Sequence, residues 1–559
     1  MPSFRILHLV LSATFIAVIF SCHSSRENDT DNAASLIRAD DILRDVRVLS
    51  ADDMEGRAPG TSGGEKAARY IARRFKEAGL SPINGSYFQE MTLVGTRKKP
   101  GRSSLKIYKN GRTLPYQSDQ TLTYWSTSWD TVVDIHKAPL IIVGYGVEAP
   151  EYQWDDFKGM DVHGKVLLFL NNDPPVTENG RALFKGDTRT YYGRWTYKFE
   201  QAMRHGAAGA IMIHTTPSAS YPFSVVQHSG SKEKFSLNLK NSGYQLDLLA
   251  WMDKATSEEI ARSMGTTLDK WFEMAARRDF KPVDTGYRIN AHIETDKRRI
   301  QTRNVYGLLE GSDPELKKQI IVFSAHYDHL GTRSTNAGED GIYNGAWDNA
   351  LGTASLMSMA RAFNQLKKKP KRSVLFLACA AEESGSLGSR WFVARPPVPR
   401  NHIVANFNID MPQIFGLTRD MAAVGLDMNS LGKALKAEAA QTPIPGGGTL
   451  IIKGDLNPNA GRFYRSDQIN FAKAGIPALY INPGKGYLTT PGVDPVTYRK
   501  EHYHQPSDSV NAAWDLSGCE RDMRVLFKTA IRVANDSEQP RWTPGNEFES
   551  KWRRLYGKN

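Results

Sequence analysis

Residues 320–328 read IIVFSAHYD, a nearly unbroken apolar run that stops on a histidine and, two places later, an aspartate. A half-buried strand alternates apolar with polar residues; a continuous run of this length is a strand covered on both faces. Outward from it the texture repeats. Residues 374–380 (VLFLACA), 404–409 and 476–481 are further runs of this kind. Between the first two, Leu356, Met359, Ala360 and Phe363 follow the i, i+3, i+4, i+7 spacing of a helix. Buried strands alternating with helices predict an α/β fold, a sheet flanked by helices on both faces. In such sheets functional groups gather beyond the carboxyl ends of the strands.

Here strand after strand ends on a group that can hold a metal. The first delivers His326 and Asp328, the second Glu382 and Glu383, the third Asp410. Asp348 stands in GAWDNALG (345–352), at the start of the helix, and His504 in YHQPSD (503–508). Taken singly, each has a plain structural reading: a polar strand end, a solvated glutamate pair, a helix N-cap. Jointly they make a donor set. A catalytic zinc takes three His or carboxylate ligands and keeps a place for water, and two such ions can share a carboxylate and a water. His326, Asp348, Glu383, Asp410 and His504 supply two such sites, leaving Glu382 as base. The same donors also suit manganese or cobalt.

These motifs, in this order and with SD (466–467), resemble metallopeptidase family twenty-eight, which holds dizinc aminopeptidases, glutamate carboxypeptidases and the transferrin receptors. The segment 49–79, with its EGRAPGT turn (55–61) before a helix, resembles that family's N-terminal segment. Residues 154–175 and 192–214 resemble a protease-associated domain. The resemblance implies a mixed sheet of the zinc aminopeptidase type with an inserted, mainly-β protease-associated domain. It implies that Asp348 bridges two zinc ions, that His326 and Asp410 complete one site, and that Glu383 and His504 complete the other. Glu382 becomes the general base and acid, and Asp328 orients His326 through its second ring nitrogen. Asp508 is expected to support the loop carrying His504. Tyr464, just before the SD pair, is the candidate donor to the oxyanion, with Phe463 as the alternative. Gln468 departs from the family, which often has His there.

The function expected is an exported aminopeptidase acting on peptides. A carboxypeptidase or dipeptidase on the same scaffold is the alternative, for which Arg462 and Arg465 offer positive charge near the site. A glutaminyl cyclase and a binding protein without catalysis are further readings, which the complete donor set disfavours. Side-chain preference and oligomeric state are not legible.

The 559 residues exceed one ordinary core. The expected division is 1–21 signal peptide, 22–39 lipidated tether, 40–135 and 265–540 peptidase domain, 136–264 insert and return linker, and 541–559 C-terminal extension. Arg5, the apolar run 6–20 and Ser21 read as a secretory signal. IFSC (19–22) resembles a bacterial lipobox, which implies acylation of Cys22 and a cell-envelope lipoprotein anchored to the membrane, or a secreted protein if Cys22 stays free. The net charge of +12 is spread over short clusters. With no nucleic-acid module beside them, they read as solvated turns rather than a nucleic-acid surface. Cys379 and Cys519 cannot make a disulfide framework, so any metal rests on His and carboxylate.

Overall fold

The structure is a computed structural model that describes residues 28–238, 245–336 and 338–558. The signal segment and Cys22 lie outside the described residues. The chain divides into two compact units. The first comprises the N-terminal segment to Met91, Thr302–Leu456 and Ser466–Asn559; the second comprises Thr92–Gln301 and Asn457–Arg465.

The first unit is built on a mixed sheet. Its strands are β1 (Val283–Leu309, entering the unit at Thr302), β2 (Ile320–His326), β3 (Ser373–Cys379), β4 (Ile403–Ile409), β5 (Asp420–Val424), β6 (Ile451–Lys453) and β7 (Ala478–Asn482). Their order is β6-β5-β7-β4-β2-β3-β1. The central strands β7, β4, β2 and β3 run parallel, while β1 and β5 pair antiparallel with their neighbours β3 and β7. Every residue of β2, β3 and β4 is buried, which requires cover on both faces, as the continuous apolar runs predict. Helices α1 (Ala39–Leu49), α2 (Ser62–Glu77), α3 (Leu351–Asn364), α4 (Leu387–Ala394), α5 (Gln468–Lys473) and α6 (Ser517–Asn535) supply that cover. Phe323, Phe363, Phe376 and Phe407 pack between the middle strands and α3. The sheet also buries polar groups, several of which are linked by hydrogen bonds. Ser324 Oγ donates to Asn408 Oδ1 at 2.7 Å, and Asn408 Nδ2 donates to Ser466 Oγ and Gln468 Oε1, both at 2.9 Å. The residue that departs from the family pattern, Gln468, thus anchors β4.

One expectation is corrected at the start of this unit. Residues 28–35, assigned above to a polar tether, are helical, and Ala33 and Ala34 are buried. Small apolar positions spaced for packing outweigh the polar composition. The segment after residue 540, the C-terminal extension, packs on this unit: Trp542 is 2% exposed and its indole donates to the Gly475 carbonyl.

The second unit has its own sheet, in which Val132–Ile142, Val166–Leu170, Gly209–Ile213 and Leu248–Met252 are neighbours and run parallel. Leu122–Trp125 and the first part of β1 pair antiparallel at its two sides. Phe169, Phe199 and Trp251 lie in its core. The unit begins earlier and ends later than residues 136–264, because Phe88–Lys98 and the long β1 supply strands to it. It is also less purely β than expected: helices Trp195–Arg204, Lys254–Ser263 and Leu268–Ala275 belong to it, since parallel neighbours need crossover segments.

Candidate metal centre

The first unit gathers His326, Asp328, Asp348, Glu382, Glu383, Asp410 and His504. β2 ends on His326 and carries it to the carboxyl edge of the sheet. Thr353 Oγ1, on α3, donates to the His326 carbonyl at 2.8 Å and joins strand to helix. His326 Nδ1 lies 3.2 Å from the Asp328 backbone carbonyl. A carbonyl only accepts, so Nδ1 carries the proton and the lone pair stays on Nε2. That Nε2 faces Asp348 Oδ1 at 3.3 Å and Asp410 Oδ1 at 3.5 Å.

The second histidine addresses the other side of the same aspartate. His504 Nε2 lies 3.1 Å from Asp348 Oδ2 and 3.3 Å from Glu383 Oε2. Its ring stacks on Tyr503, with centroids 3.9 Å apart. Asp348 therefore turns one oxygen to each histidine, as a bridging carboxylate must.

These separations discriminate between two kinds of contact. A charge-assisted N–H···O bond closes to about 2.7–2.9 Å. Two donor atoms sharing one tetrahedral zinc, each about 2.0–2.1 Å from it, stand about 3.3–3.4 Å apart. The four contacts, between 3.1 and 3.5 Å, have the second spacing. The donors thus fit zinc by type and by distance: His326, Asp348 and Asp410 around one position, and Asp348, Glu383 and His504 around another.

Asp348 is aimed by its neighbours. It stands in the irregular turn Ala346–Ala350 before α3. The Asp508 carboxylate accepts from the backbone N–H of Trp347 and of Asp348, both at 3.0 Å. Asp508, expected above to support the His504 loop, holds the backbone of Asp348 through these two bonds. The expectation for Asp328 needs correction. Its carbonyl, not its carboxylate, is the closer partner of His326, with Oδ1 at 3.8 Å. The carboxylate accepts instead from the backbone N–H groups of Glu382 and Glu383 at 2.9 and 3.2 Å. It sits where those two strand-end amides are exposed, and it positions the glutamate pair.

Electrostatics separate the two glutamates. Desolvation pushes Glu382 well above the usual carboxylate range; His326 opposes this, while Glu383, Asp467 and Asp410 add to it. The residue keeps partial exposure, and Ser386 Oγ donates to its Oε1 at 3.1 Å. A carboxyl whose proton affinity is raised in this way is suited to accepting and returning a proton. Burial would raise Glu383 as well, as would Asp348, but His329 and His504 hold it down to about 2. Burial lifts Asp328 to about 7 and Asp508 to about 6. Asp467, of the SD pair, is lifted to about 6 by burial.

Two residues not proposed from the sequence complete the centre. Arg57, from the EGRAPGT turn, is fully buried and donates to the carbonyls of Leu49, Tyr327, Asn344 and Gly345 at 2.5–2.8 Å. Burial pulls its pKa down to about 10, with Asp508 and Asp328 the leading opposition, so it stays charged beside the acids. His329 donates from Nδ1 to Glu383 Oε1 at 2.8 Å. The sequence did carry a signal, a second histidine three places after His326. Tyr464 falls in the second unit, buried in the short turn Arg462–Tyr464 with its ring 6.0 Å from that of Tyr191. The seven residues gathered in the first unit do not include it.

Residues 304–527 match the family model described as Peptidase family M28. This matched stretch, which is less than half of the chain, holds each of the seven gathered residues. Among curated proteins, the chain is 22% identical over 414 residues to a glutamate carboxypeptidase 2 homolog of Caenorhabditis elegans, covering 64% of this chain and 49% of that protein. It is 24% identical over 454 residues to the Caenorhabditis briggsae homolog, covering 69% and 53%. The chain thus spans about half the length of the curated relatives it matches. Among solved structures, it is similar to an aminopeptidase from Aneurinibacillus sp. strain AM-1 (TM-score 0.49, 17% identity, 91% of this chain and 97% of that one). It is also similar to a zinc aminopeptidase from Bacillus subtilis (TM-score 0.42, 18% identity, 92% and 98%).

Proposed function

We propose that this protein is an exported metallo-exopeptidase with two zinc ions, and that it releases N-terminal residues from peptides. The observation that carries the metal reading is the pair of Asp348 oxygens, each set against a different histidine at a separation suited to shared coordination. His326 and Asp410 would hold one ion, Glu383 and His504 the other, with Asp348 common to both. When bound, zinc supplies Lewis acidity that acidifies water and polarises a carbonyl. Glu382 then takes the proton of the attacking water and hands it to the departing amine, the role its raised proton affinity suits. Asp328 keeps Glu382 and Glu383 in register by holding their amides. Tyr464 is retained as the donor to the oxyanion on the sequence resemblance alone. That resemblance also supports reading the second unit as a protease-associated domain, and Cys22 as the site of a lipid anchor.

Aminopeptidase is the activity favoured by the resemblance to the dizinc aminopeptidases. The names of the curated relatives favour the second reading, a carboxypeptidase. A panel of free, N-acetylated and C-amidated peptides separates them, with Glu382→Gln as control. Cleavage that requires a free N-terminus and tolerates amidation supports the aminopeptidase; cleavage that requires a free C-terminus and tolerates acetylation supports the carboxypeptidase. If metal-replete protein cleaves no peptide, the peptidase reading falls.

A further inference from the structure

We infer that His329 is a positioning residue for one metal ion only: it orients Glu383 so that a single carboxylate oxygen is presented beside His504. The inference rests on the metal-centre reading above and adds to it a residue outside the five-ligand set. Three observations carry it.

The first is a contrast of distances. His329 Nδ1 meets Glu383 Oε1 at 2.8 Å, whereas the four contacts assigned to shared coordination span 3.1–3.5 Å. A contact of 2.8 Å is a charge-assisted hydrogen bond and is too close for two donors on one tetrahedral ion. The second is the division of labour on Glu383. Oε1 is engaged by His329, and Oε2 is the oxygen that faces His504. Because a carboxylate oxygen only accepts, His329 presents Nδ1–H. The hydrogen bond leaves Oε2 turned toward the ion shared with His504 and sets the rotation of the carboxylate. The third is rigidity. The His329 side chain is fully buried. Its ring lies against Gly345, where an added Cβ would fall 2.5 Å from ring carbons Cγ and Cδ2. Its Nε2 is enclosed without a hydrogen-bond partner among the described residues. A ring wedged in this way, within reach of Asp348 as well as Glu383, spends its close contact on Glu383 alone. Partners that orient metal ligands typically contribute about 10–100-fold in metal affinity.

The test is zinc binding by the full chain, measured by competition with a chromophoric chelator, together with the metal content after dialysis. Wild type, His329→Leu, His329→Asn and His504→Ala are compared. The asparagine amide can place an N–H near the position of Nδ1. Expected are two zinc ions in wild type, about 10–100-fold weaker binding of one ion in His329→Leu, and recovery of most of that loss in His329→Asn. In the His504→Ala background, where the same ion is already weakened, adding His329→Leu should cost little more. Two outcomes overturn the inference while leaving the metal centre standing. One is unchanged binding of both ions in His329→Leu. The other is loss of an ion that asparagine does not restore, which would make His329 a ligand. If folded wild type binds no zinc at all, the metal-centre reading falls and this inference falls with it.

Discussion

In the proposed centre Asp348 and Glu382 would divide binding from chemistry, so substituting each should give a different signature. Asp348→Asn replaces one of two matched oxygens with an amide nitrogen that cannot ligate. Both ions should be weakened together, and dialysed protein should retain less than one zinc per chain by metal analysis. Glu382→Gln removes a proton acceptor that is none of the proposed ligands. Zinc content should be unchanged while kcat/KM drops by about 10²–10⁴-fold, the range for loss of a general base. The reverse pattern, an inactive protein that has also lost its metal, would move Glu382 into the ligand set. Much of this gathering was legible in the sequence, because most of the proposed ligands follow a buried strand or stand before a helix, where a polar residue needs a reason; His504, in a turn, is the exception. What was not legible is orientation. Nothing in the string HYDH tells that Asp328 would turn its carbonyl to His326 and its carboxylate to the glutamate amides. Nor does it tell that His329 would meet Glu383.

Elements are fastened together by buried charges, Arg57 among them. Its guanidinium bonds the carbonyl at the end of α1, the one after β2, and two in the turn before Asp348. Lysine keeps the charge but not the fork. Arg57→Lys should strand several buried carbonyls at about 1–3 kcal/mol each, not additively. The denaturant midpoint should fall, and zinc affinity with it. A second buried charge sets a pH dependence. Burial raises Asp522, on α6, to about 6, with Arg521 opposing. Between the unfolded value near 4 and about 6, the folded chain keeps the proton that the unfolded chain has lost. Stability from this residue therefore declines as pH rises through that window, by about 2–3 kcal/mol in total. The difference in midpoint between wild type and Asp522→Asn should shift toward the variant between pH 4.5 and pH 7.5. Element boundaries were the least legible feature. β1 is 27 residues long with alternating burial through much of its length, so no break in composition marks where the insert returns.

At the scale of the whole chain, the buried acids of the centre repel one another, and a bound cation relieves that repulsion. Removing metal with a chelator should lower the thermal midpoint, and added zinc should restore it, as ligand binding to the folded state requires. Calorimetry with and without chelator checks this; identical midpoints would count against a metal held by these residues. The helical residues 28–35 carry a different consequence. Asp29 accepts from the backbone of Lys367 and Lys368, and Asp31 pairs with Lys528, so this helix is moored to the first unit. Only residues 23–27 separate it from Cys22. At about 3.5 Å per residue, that leaves a leash of roughly 20 Å at most. An acylated chain would graze the bilayer rather than roam above it, and would meet peptides that diffuse within a few nanometres of the lipid.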